Sequence, residues 1–479
     1  MSSLMQSRPR AAVKMVAAAV TTALLAGCSY AVKRVDNPVV MPVGWDAPIS
    51  QTAEQNVPVK WWENFNSPVL NQLIERALSD SPNLIIAEER LKNAERTLQI
   101  NKENLFPDLS ASASTRRTLT GGNQTPENTS DQTSVGLSTS YSFDLFGIQA
   151  ARYRNQVATF IGSKYDHDLA RITIAQNVAR AYFNLLSIRS QVNATRTNLE
   201  IAERLLRIYE ARWREGVSRE FDFTQQTTQV LQQRTQLISQ ENQLRAAETA
   251  LGLLLGVTPQ EFRIEGEPID QLSVPDIAPW VPSELLLRRP DIAAAELDMA
   301  SAQANVYIAR ASLIPVTLTL NASGNTGSQE LFKLTDARTY SVGGVLSIAE
   351  GIFSFREKRM GVLTAESNEL IALLNYASTI RSALKEIDDT LATAEANRRS
   401  EETTRLQLTN SERSLQLAQV ELREGSANQQ EVLDAQRSLY SAQDSMARAR
   451  LQRLTTAVNL YVALGGGWAA PETTGPLSP

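Results

Sequence analysis

Four stretches of the chain alternate apolar side chains with small polar ones, at about 108–117, 133–144, 316–325 and 340–350. In the second stretch, for example, Val135 and Leu137 alternate with Ser134 and Gly136. A period of two predicts β-strands that have one apolar and one polar face. Each stretch is about 10 residues long, which is enough for a tilted strand to cross a bilayer.

Two explanations fit this alternation. A half-buried sheet of a soluble protein has the same period. The polar face, however, consists almost entirely of Ser, Thr, Gly and Asn, which suits a water-filled lumen. The connections predicted at about 119–133 and 324–339 are also long and polar, like the outer loops of membrane barrels. We therefore predict membrane strands, with Leu318 facing lipid and Thr319 facing water.

Outside these strands the pattern becomes helical over long distances. No proline occurs from Gln149 to about Trp213 or from Arg356 to about Arg423, and helices of this length extend about 100 Å at 1.5 Å per residue. Apolar and small residues recur in them at heptad spacing, which predicts packing along seams as in coiled coils. The seam residues of the long helices are Leu199, Ala202, Leu206, Tyr209 and Trp213, then Leu408, Ser411, Leu415, Ala418 and Leu422; Val432, Ala435, Leu439, Ala442 and Met446 keep the same spacing in the second return helix.

The same order of elements occurs twice. Pro82 recurs about 208 residues later as Pro290, and Gly256, where the first return helix is predicted to end, recurs about 209 residues later as Gly465. Other prolines and glycines keep nearly the same offset, which is too long for a solenoid repeat. Each copy is predicted to contain an incoming helix, two strands, a long helix and a return helix. The predicted segments are a leader at 1–27, an N-terminal anchor and equatorial segment at 28–80, a first repeat at 81–256, a Pro-rich linker at 257–282, a second repeat at 283–465 and a C-terminal tail at 466–479.

Four strands cannot close a barrel, because the smallest membrane barrels have about eight. An open sheet would leave unpaired backbone groups along both of its edges inside the membrane. The chain is therefore expected to oligomerise. Three copies would supply twelve strands and leave no edge.

The N-terminal residues indicate export from the cytoplasm. Cationic residues precede an apolar, Ala-rich run from about Val16 to Ala26, which is too short to span a bilayer and is typical of a secretory signal. The run leads into Leu25-Ala26-Gly27-Cys28, which resembles a bacterial lipoprotein processing site, and Ser29 resembles an outer-membrane sorting residue. Cys28 is the only cysteine, so we expect a covalent lipid on its sulfur and no other cofactor. A buried structural thiol is the alternative.

Composition argues against several functions. The formal net charge is −5, and an acidic chain argues against a nucleic-acid partner. The single histidine, His167, lies among polar residues and is expected on a solvated helix face. No phosphate-binding loop, metal-ligand spacing or nucleophile elbow occurs in the sequence. The sequence therefore predicts neither an enzyme nor a metal site.

Short motifs occur in both halves of the chain, at Trp61–Phe65, Ser81–Leu84, Phe106–Pro107, Phe143–Gly147, Arg288–Ile292, Val432–Leu439 and Ala463–Trp468. Together they resemble the TolC-type outer-membrane efflux factors, and the acylated, NodT-like branch of that family fits best. The resemblance implies an α+β membrane protein: a trimeric 12-stranded outer-membrane β-barrel with four strands per chain, continued by a long antiparallel α-helical periplasmic tunnel.

The same resemblance implies the partners and the location. The chain is expected in the outer membrane, anchored by its lipid and extending into the periplasm. Its expected partners are two further copies of itself, outer-membrane lipid, a periplasmic adaptor (membrane fusion) protein and an inner-membrane pump of the resistance-nodulation-division type.

The resemblance also implies which residues form the periplasmic gate of the tunnel. Glu431 and Asp434, with Asp222 at the matching place of the first repeat, are expected to line it. Glu431 and Asp434 lie three residues apart on one helix face, so three copies would bring six carboxylates together and attract cations. Gln225 leaves the first repeat with less charge. The alternative is that acids at a helix start complement the helix dipole.

The turns that precede these acids are expected to contact the adaptor. The residues of these adaptor-contact tips are Arg214, Gly216, Val217, Arg423, Gly425 and Ser426. Their alternative role is turn geometry, which glycine alone would satisfy.

The function implied by the resemblance is passive export of small toxic compounds or drugs, including antibiotics, driven by the pump and the adaptor. A duct for metal cations or for type I protein secretion stays open as an alternative, because the fold is shared and the cargo is selected upstream. A periplasmic coiled-coil scaffold or adhesin would explain the heptads, but it would not explain the four strands.

The lipid assignment predicts that Cys28→Ser abolishes labelling by radioactive palmitate, because the chain has no other cysteine. Export should fall only in part, since the barrel also holds the protein in the membrane. Labelling is measured on the immunoprecipitated protein beside the wild type. Label that persists in the variant would refute the lipoprotein assignment.

Overall fold

The computed structural model describes residues 39–47, 57–103, 105–122, 125–258, 260, 262–279, 282–313, 316–330, 337–348, 354–424, 426 and 429–469. Cys28 and Gly425 lie outside the described residues. Each repeat contains an incoming helix, two strands, a long helix and a return helix, as predicted.

The α-helices are α1 (Pro68–Asp80), α2 (Pro82–Glu103), α3 (Ile148–Arg214), α4 (Glu220–Leu254), α5 (Pro290–Ala311), α6 (Ser354–Glu424) and α7 (Gln429–Ala463). The strands are β1 (Asp108–Gly122), β2 (Thr125–Phe143), β3 (Val316–Ser328) and β4 (Ala337–Ile348). Short 3-10 helices occupy Trp61–Phe65, Ile269–Gln271 and Pro282–Leu287. Over the described part of the chain, no helix combines the length and the apolar character that a membrane-spanning helix requires.

The four strands form one antiparallel sheet in the order β1-β2-β3-β4. Directly opposed residues of neighbouring strands share one face, so the register tests the predicted alternation. The apolar face carries Leu109, Ala111, Ala113, Val135, Leu137, Tyr141, Phe143, Val316, Leu318, Leu320, Ala322, Val342 and Leu346. Within the predicted stretches, Thr115, Arg117, Thr133 and Thr139 on this face and Val345 on the polar face are exceptions. At the other positions of these stretches, apolar and polar side chains alternate between the two faces of the sheet as the sequence predicts.

Hydroxyl groups pair across the strands on the polar face. Ser110 Oγ lies 2.8 Å from Ser138 Oγ, and Ser142 Oγ lies 3.3 Å from Thr319 Oγ1. Cross-strand pairs of this kind each contribute roughly 0.2–1 kcal/mol. The small polar side chains therefore stabilise the sheet in addition to presenting a wettable surface.

The strands extend further at their hairpin ends than predicted. β1 and β2 stay paired as far as Gly122 and Thr125, so the loop predicted at about 119–133 is wrong. Threonine is common in this segment and favours strands. Arg117 and Asp131 also pair across the two strands, with Nε 2.7 Å from Oδ1. The connection between β3 and β4 is likewise shorter than predicted.

The chain divides into two compact units. The first contains the sheet, and its described parts lie within Leu91–Ser163 and Ala295–Ala377. The second contains Val39–Arg90, Lys164–Ala294 and the chain from Ser378 onward. In the first unit, the Tyr307 hydroxyl of α5 donates to Phe146 O at 2.5 Å, which fixes the turn that leads from β2 into α3.

In the second unit, the helix seams predicted from the heptads are present. Leu415 and Ala418 of α6 pack with Val432 and Leu439 of α7 in one buried cluster. Leu205 of α3 packs against the same cluster. The two long helices, of 67 and 71 residues, are therefore held by side-chain packing rather than by helix propensity alone.

Two glycines end the repeats at matching positions. Gly256 and Gly465 follow the return helices with φ of +70° and +83°, a left-handed conformation that favours glycine. A Cβ on Gly256 would lie 3.2 Å from Asp80 O, and a Cβ on Gly465 would lie 1.9 Å from Arg288 O. Each glycine thus lets a return helix end against the chain that enters the same repeat.

A buried ion-pair network anchors the linker on α7. Arg450 Nη1 donates to Glu401 Oε1 at 2.9 Å, and Arg453 Nη1 donates to Glu401 Oε2 at 2.5 Å. Arg450 also donates to Leu272 O in the linker at 2.5 Å. Burial opposes ionisation of Glu401, but hydrogen bonds and charge from both arginines outweigh it and hold the pKa of Glu401 below its usual value. Loss of one partner would leave a buried charge uncompensated.

Gly465→Ala is expected to destabilise the protein by more than about 2 kcal/mol, because left-handed strain is added to a clash with Arg288 O. Gly162→Ala is the matched control. A Cβ there meets nothing within 4 Å, and alanine in a helix interior is favoured by roughly 0.5–1 kcal/mol.

Thermal unfolding of the purified variants is the measurement. We expect a lower Tm for Gly465→Ala and an equal or higher Tm for Gly162→Ala. Equal Tm values for the two variants would contradict the close backbone approach at Gly465.

Candidate functional site

The first turn joins α3 to α4 and closes around Gly216. The Val217 N–H donates to Arg212 O at 2.8 Å, and the Gly216 N–H donates to Trp213 O at 3.0 Å. These bonds satisfy carbonyl groups at the end of α3. Gly216 has φ of +69°, so backbone geometry alone requires glycine here.

Side chains around this turn offer a small apolar and cationic surface. Val217 is 71% exposed. Arg214 is exposed and forms an ion pair with Glu210, one helical turn earlier. Phe221 is 63% exposed, and the Arg219 guanidinium lies 5.5 Å from its ring centroid, within reach of a cation–π contact. Arg214 and Val217 are among the residues predicted from the sequence, whereas Arg219 and Phe221 are not.

A stacked aromatic pair braces the adjoining ends of α3 and α4. The ring centroids of Trp213 and Phe223 are 5.2 Å apart, and the ring planes differ by 2°. One turn earlier on α3, burial raises the pKa of the Tyr209 phenol; the charge of Arg212 opposes this shift and the charge of Asp222 adds to it. The phenol is therefore neutral, and the two helices meet through neutral aromatic groups.

The second turn joins α6 to α7. Ser426 donates from both its N–H and its Oγ to Glu421 O, at 2.9 and 3.1 Å. Arg423 is exposed, and its Nε donates to Gln419 O at 3.3 Å. Gly425 lies outside the described residues. Ser426 thus caps the end of α6, which is the geometric role expected of a turn residue.

The predicted gate acids differ in their surroundings. Asp222 is the third residue of α4 and its side chain is 15% exposed. It accepts two bonds from the Arg219 guanidinium, at 2.9 and 3.3 Å, and one from the Arg219 N–H at 3.4 Å. Asp222 therefore completes a capping box at the start of α4, which fits the helix-dipole alternative.

The two acids of α7 are more accessible. Glu431 is exposed in the first turn of the helix, and the side chain of Asp434 is 59% exposed. Asp434 Oδ1 accepts from Gln430 Nε2 at 3.0 Å and lies 3.6 Å from Arg437 Nη1. These acids can thus face a lumen, although an arginine accompanies one of them.

Three glutamines, which we call the amide clasp (Gln225, Gln429 and Gln430), join the first turns of α4 and α7. Gln225 Nε2 donates to Gln430 Oε1 at 3.1 Å, and Gln429 Nε2 donates to Asp222 O at 2.9 Å. Because Gln430 also donates to Asp434, the clasp links this acid of α7 to the side chain of Gln225 on α4, and Gln429 adds a separate bond to the backbone of α4. These hydrogen bonds hold the starts of α4 and α7 together, so the two helices can separate only if the bonds break or rearrange.

The arginines change the charge expected at this site. Arg219 lies beside Asp222 and Arg437 lies beside Asp434, so a cation accompanies each of these two carboxylates. Sequence reasoning missed both arginines and the glutamines at 429 and 430. The spacing in the sequence could have indicated both arginines. Each stands three residues from its acid, which brings the two side chains close together. Among the described residues, no group of three or more His, Cys, Asp or Glu side chains could hold a metal ion.

The chain was compared with known proteins. A family model described as outer membrane efflux protein matches residues 73–257 and 281–466. The pyoverdine export outer membrane protein OpmQ of Pseudomonas putida (strain KT2440) is 33% identical over 444 residues, which cover 91% of this chain and 94% of that protein. The probable outer membrane lipoprotein SilC of Salmonella typhimurium is 28% identical, over 85% of this chain and 88% of that one. The solved open-state MtrE outer membrane channel of Neisseria gonorrhoeae has a TM-score of 0.78 at 26% identity, over 90% of this chain and 96% of that chain.

The chain belongs to the outer membrane efflux protein family. It is an efflux channel of the outer membrane rather than an enzyme, as the sequence predicted. The predicted combination of a four-stranded sheet with long helices in each chain is confirmed as the fold of outer-membrane channels. The two matched segments also follow the two repeats.

Replacing both acids of α7, Glu431→Gln with Asp434→Asn, is expected to lower the preference of the channel for cations and to remove block by multivalent cations from the periplasmic side. Arg437→Gln is expected to have the opposite effect, because it removes the cation beside Asp434. Asp222→Asn should change selectivity less than the double variant, since Arg219 already balances its charge.

Reversal potentials under a salt gradient in planar bilayers measure these changes. Selectivity that moves in the same direction for the double acid variant and for Arg437→Gln would contradict a charged lumen at this site. Unchanged selectivity in both would return the acids to the role of complementing the helix dipole.

Proposed function

We propose that three copies of this chain form one closed barrel and duct, through which a periplasmic adaptor and an inner-membrane pump expel small compounds. The observation that carries this proposal is the sheet, which is apolar on one face and polar on the other. Within the described residues, no strand lies beside the outer edges of β1 and β4.

The outer edges of β1 and β4 favour assembly into a trimer. Backbone groups along them cannot remain unpaired in hydrocarbon. Because four strands alternate in direction, β1 of one copy can pair with β4 of the next and continue the antiparallel order. Three copies then give twelve strands, which is within the range of membrane barrels, whereas two copies give eight strands that leave room only for packed side chains.

A second observation supports contact between copies. The part of α6 in the first unit has exposed apolar residues at heptad spacing, at Met360, Leu363, Leu370 and Leu374. Their exposed fractions are between 51% and 56%. A seam of this kind on a long helix is covered by another helix in coiled-coil assemblies. A second copy of the chain supplies such helices.

The adaptor and the pump follow from the family and from the turns. The apolar and cationic surface around Val217 and Phe221 is accessible, and together with Arg423 and Ser426 of the second turn it suits contact with another protein. We propose that these turns contact the adaptor and that the pump is of the resistance-nodulation-division type.

Small molecules are the proposed cargo. OpmQ is named for pyoverdine export, which favours small compounds over secreted proteins. The exposed acids of α7 keep a duct for metal cations as the second candidate. SilC is named a probable lipoprotein, which together with Cys28 supports a lipid anchor on this chain.

The barrel predicts unequal effects of arginine on the two faces of β3. Leu318→Arg places a charge on the lipid side, at a cost of roughly 2–4 kcal/mol for each copy near the bilayer midplane. Thr319→Arg places the same charge on the water side. Leu318→Arg should therefore reduce trimer formation strongly, and Thr319→Arg should assemble and alter conductance.

Trimers on heat-treated gels and ion conductance in planar bilayers test this. Equal assembly of the two variants would contradict the faces of the sheet. A wild-type protein that stays monomeric, or that forms trimers without conducting ions, would favour the periplasmic scaffold.

A further inference from the structure

The apolar face of the sheet ends at an arginine on β4. Thr326 follows Val316 by ten positions on β3, which is about 34 Å along a strand and about 26 Å of membrane thickness at a tilt of ~40°. This height matches the apolar band of membrane barrels, ~25 Å. Thr326 pairs with Arg338, so Arg338 lies at the boundary of the hydrocarbon on the hairpin side of the sheet.

No charged side chain interrupts the apolar face between these limits on β3 and β4. The face there consists of Leu318, Leu320, Ala322 and Gly324 on β3 and of Tyr340, Val342, Gly344 and Leu346 on β4. Tyr340 is 90% exposed, and Arg338 is also exposed. The two residues share a face because they are two positions apart, about 7 Å, on one strand.

Arg338 differs from the other two arginines near this end of the sheet. Arg117 is on the same face, but Asp131 binds it with Nε–Oδ1 and Nη2–Oδ2 distances of 2.7 and 2.9 Å. That pair is close to neutral as a unit. Arg116 precedes Arg117 by one residue and therefore lies on the polar face.

The position of Arg338 sets a chemical requirement. A guanidinium within the hydrocarbon would cost roughly 2–4 kcal/mol, so the side chain must extend its charge into the headgroup layer. The anions of that layer are lipid phosphates, which accept paired hydrogen bonds from a guanidinium. The Tyr340 hydroxyl can donate another bond to the same group.

We propose that Arg338 and Tyr340 bind the phosphate of an anionic lipid headgroup, with one such site on each chain at the outer rim of the barrel. The site rests on the proposed function, because it requires the sheet to lie in a membrane with its apolar face towards lipid. It gives the barrel a fixed height in the membrane and a preference among lipids.

Native mass spectrometry of the purified trimer tests the site. Binding of phosphatidylglycerol and of phosphatidylcholine is measured for the wild type, Arg338→Gln, Arg338→Lys and Arg116→Gln. Arg338→Gln should weaken phosphatidylglycerol binding about tenfold, which corresponds to ~1.4 kcal/mol, and should weaken phosphatidylcholine binding less, because the choline cation offsets the charge of its phosphate. Arg338→Lys keeps the charge and should retain most of the preference, and Arg116→Gln should bind as the wild type does.

The possible outcomes distinguish a failure of the lipid-site proposal from a failure of the barrel proposal. A conducting trimer in which Arg338→Gln binds phosphatidylglycerol as the wild type does would overturn the lipid site and leave the proposed function intact. Equal weakening by Arg116→Gln would also overturn it, because a general loss of positive charge would then explain the result. A wild-type chain that forms no trimer would overturn both proposals.

Discussion

Unpaired backbone groups along the two edges of the sheet are the constraint from which the other features follow. Each chain supplies four strands, and the outer edges of β1 and β4 have no partner among its described residues. Hydrocarbon offers no water to satisfy these groups, so the edges must meet copies of each other. A closed barrel has an inside and an outside, so one face of every strand contacts water and the other contacts lipid.

The duplication supplies a second constraint, because each long helix must reverse and return. Gly256 and Gly465 end the return helices against Asp80 O and Arg288 O, the same contact made twice. The two repeats differ at their turns. Asp222 caps its helix with Arg219, whereas Glu431 and Asp434 remain accessible. The two repeats thus have different turns, and only the second has exposed acids in the first turns of its return helix.

Sequence patterns predicted the features that depend on periodicity. The strand faces, the seam of Leu415 and Val432 and the closing glycines follow from spacing alone, because each expresses a regular geometry. The hairpin at Gly122 was misjudged, since Thr and Gly are common in both strands and loops. The amide clasp was missed for another reason. Gln225 and Gln430 are 205 positions apart, and no local pattern indicates which distant amides will meet.

Hydrogen exchange of the strand amides, in the protein reconstituted into membranes, measures directly whether the barrel is closed. Pairing of β1 with β4 of a neighbouring copy predicts that amides on both edge strands are protected to the same degree as those of β2 and β3, which are paired on both sides within one chain. Fast exchange confined to the outward-facing amides of β1 and β4 would mean that the edges stay open, and it would contradict a closed barrel.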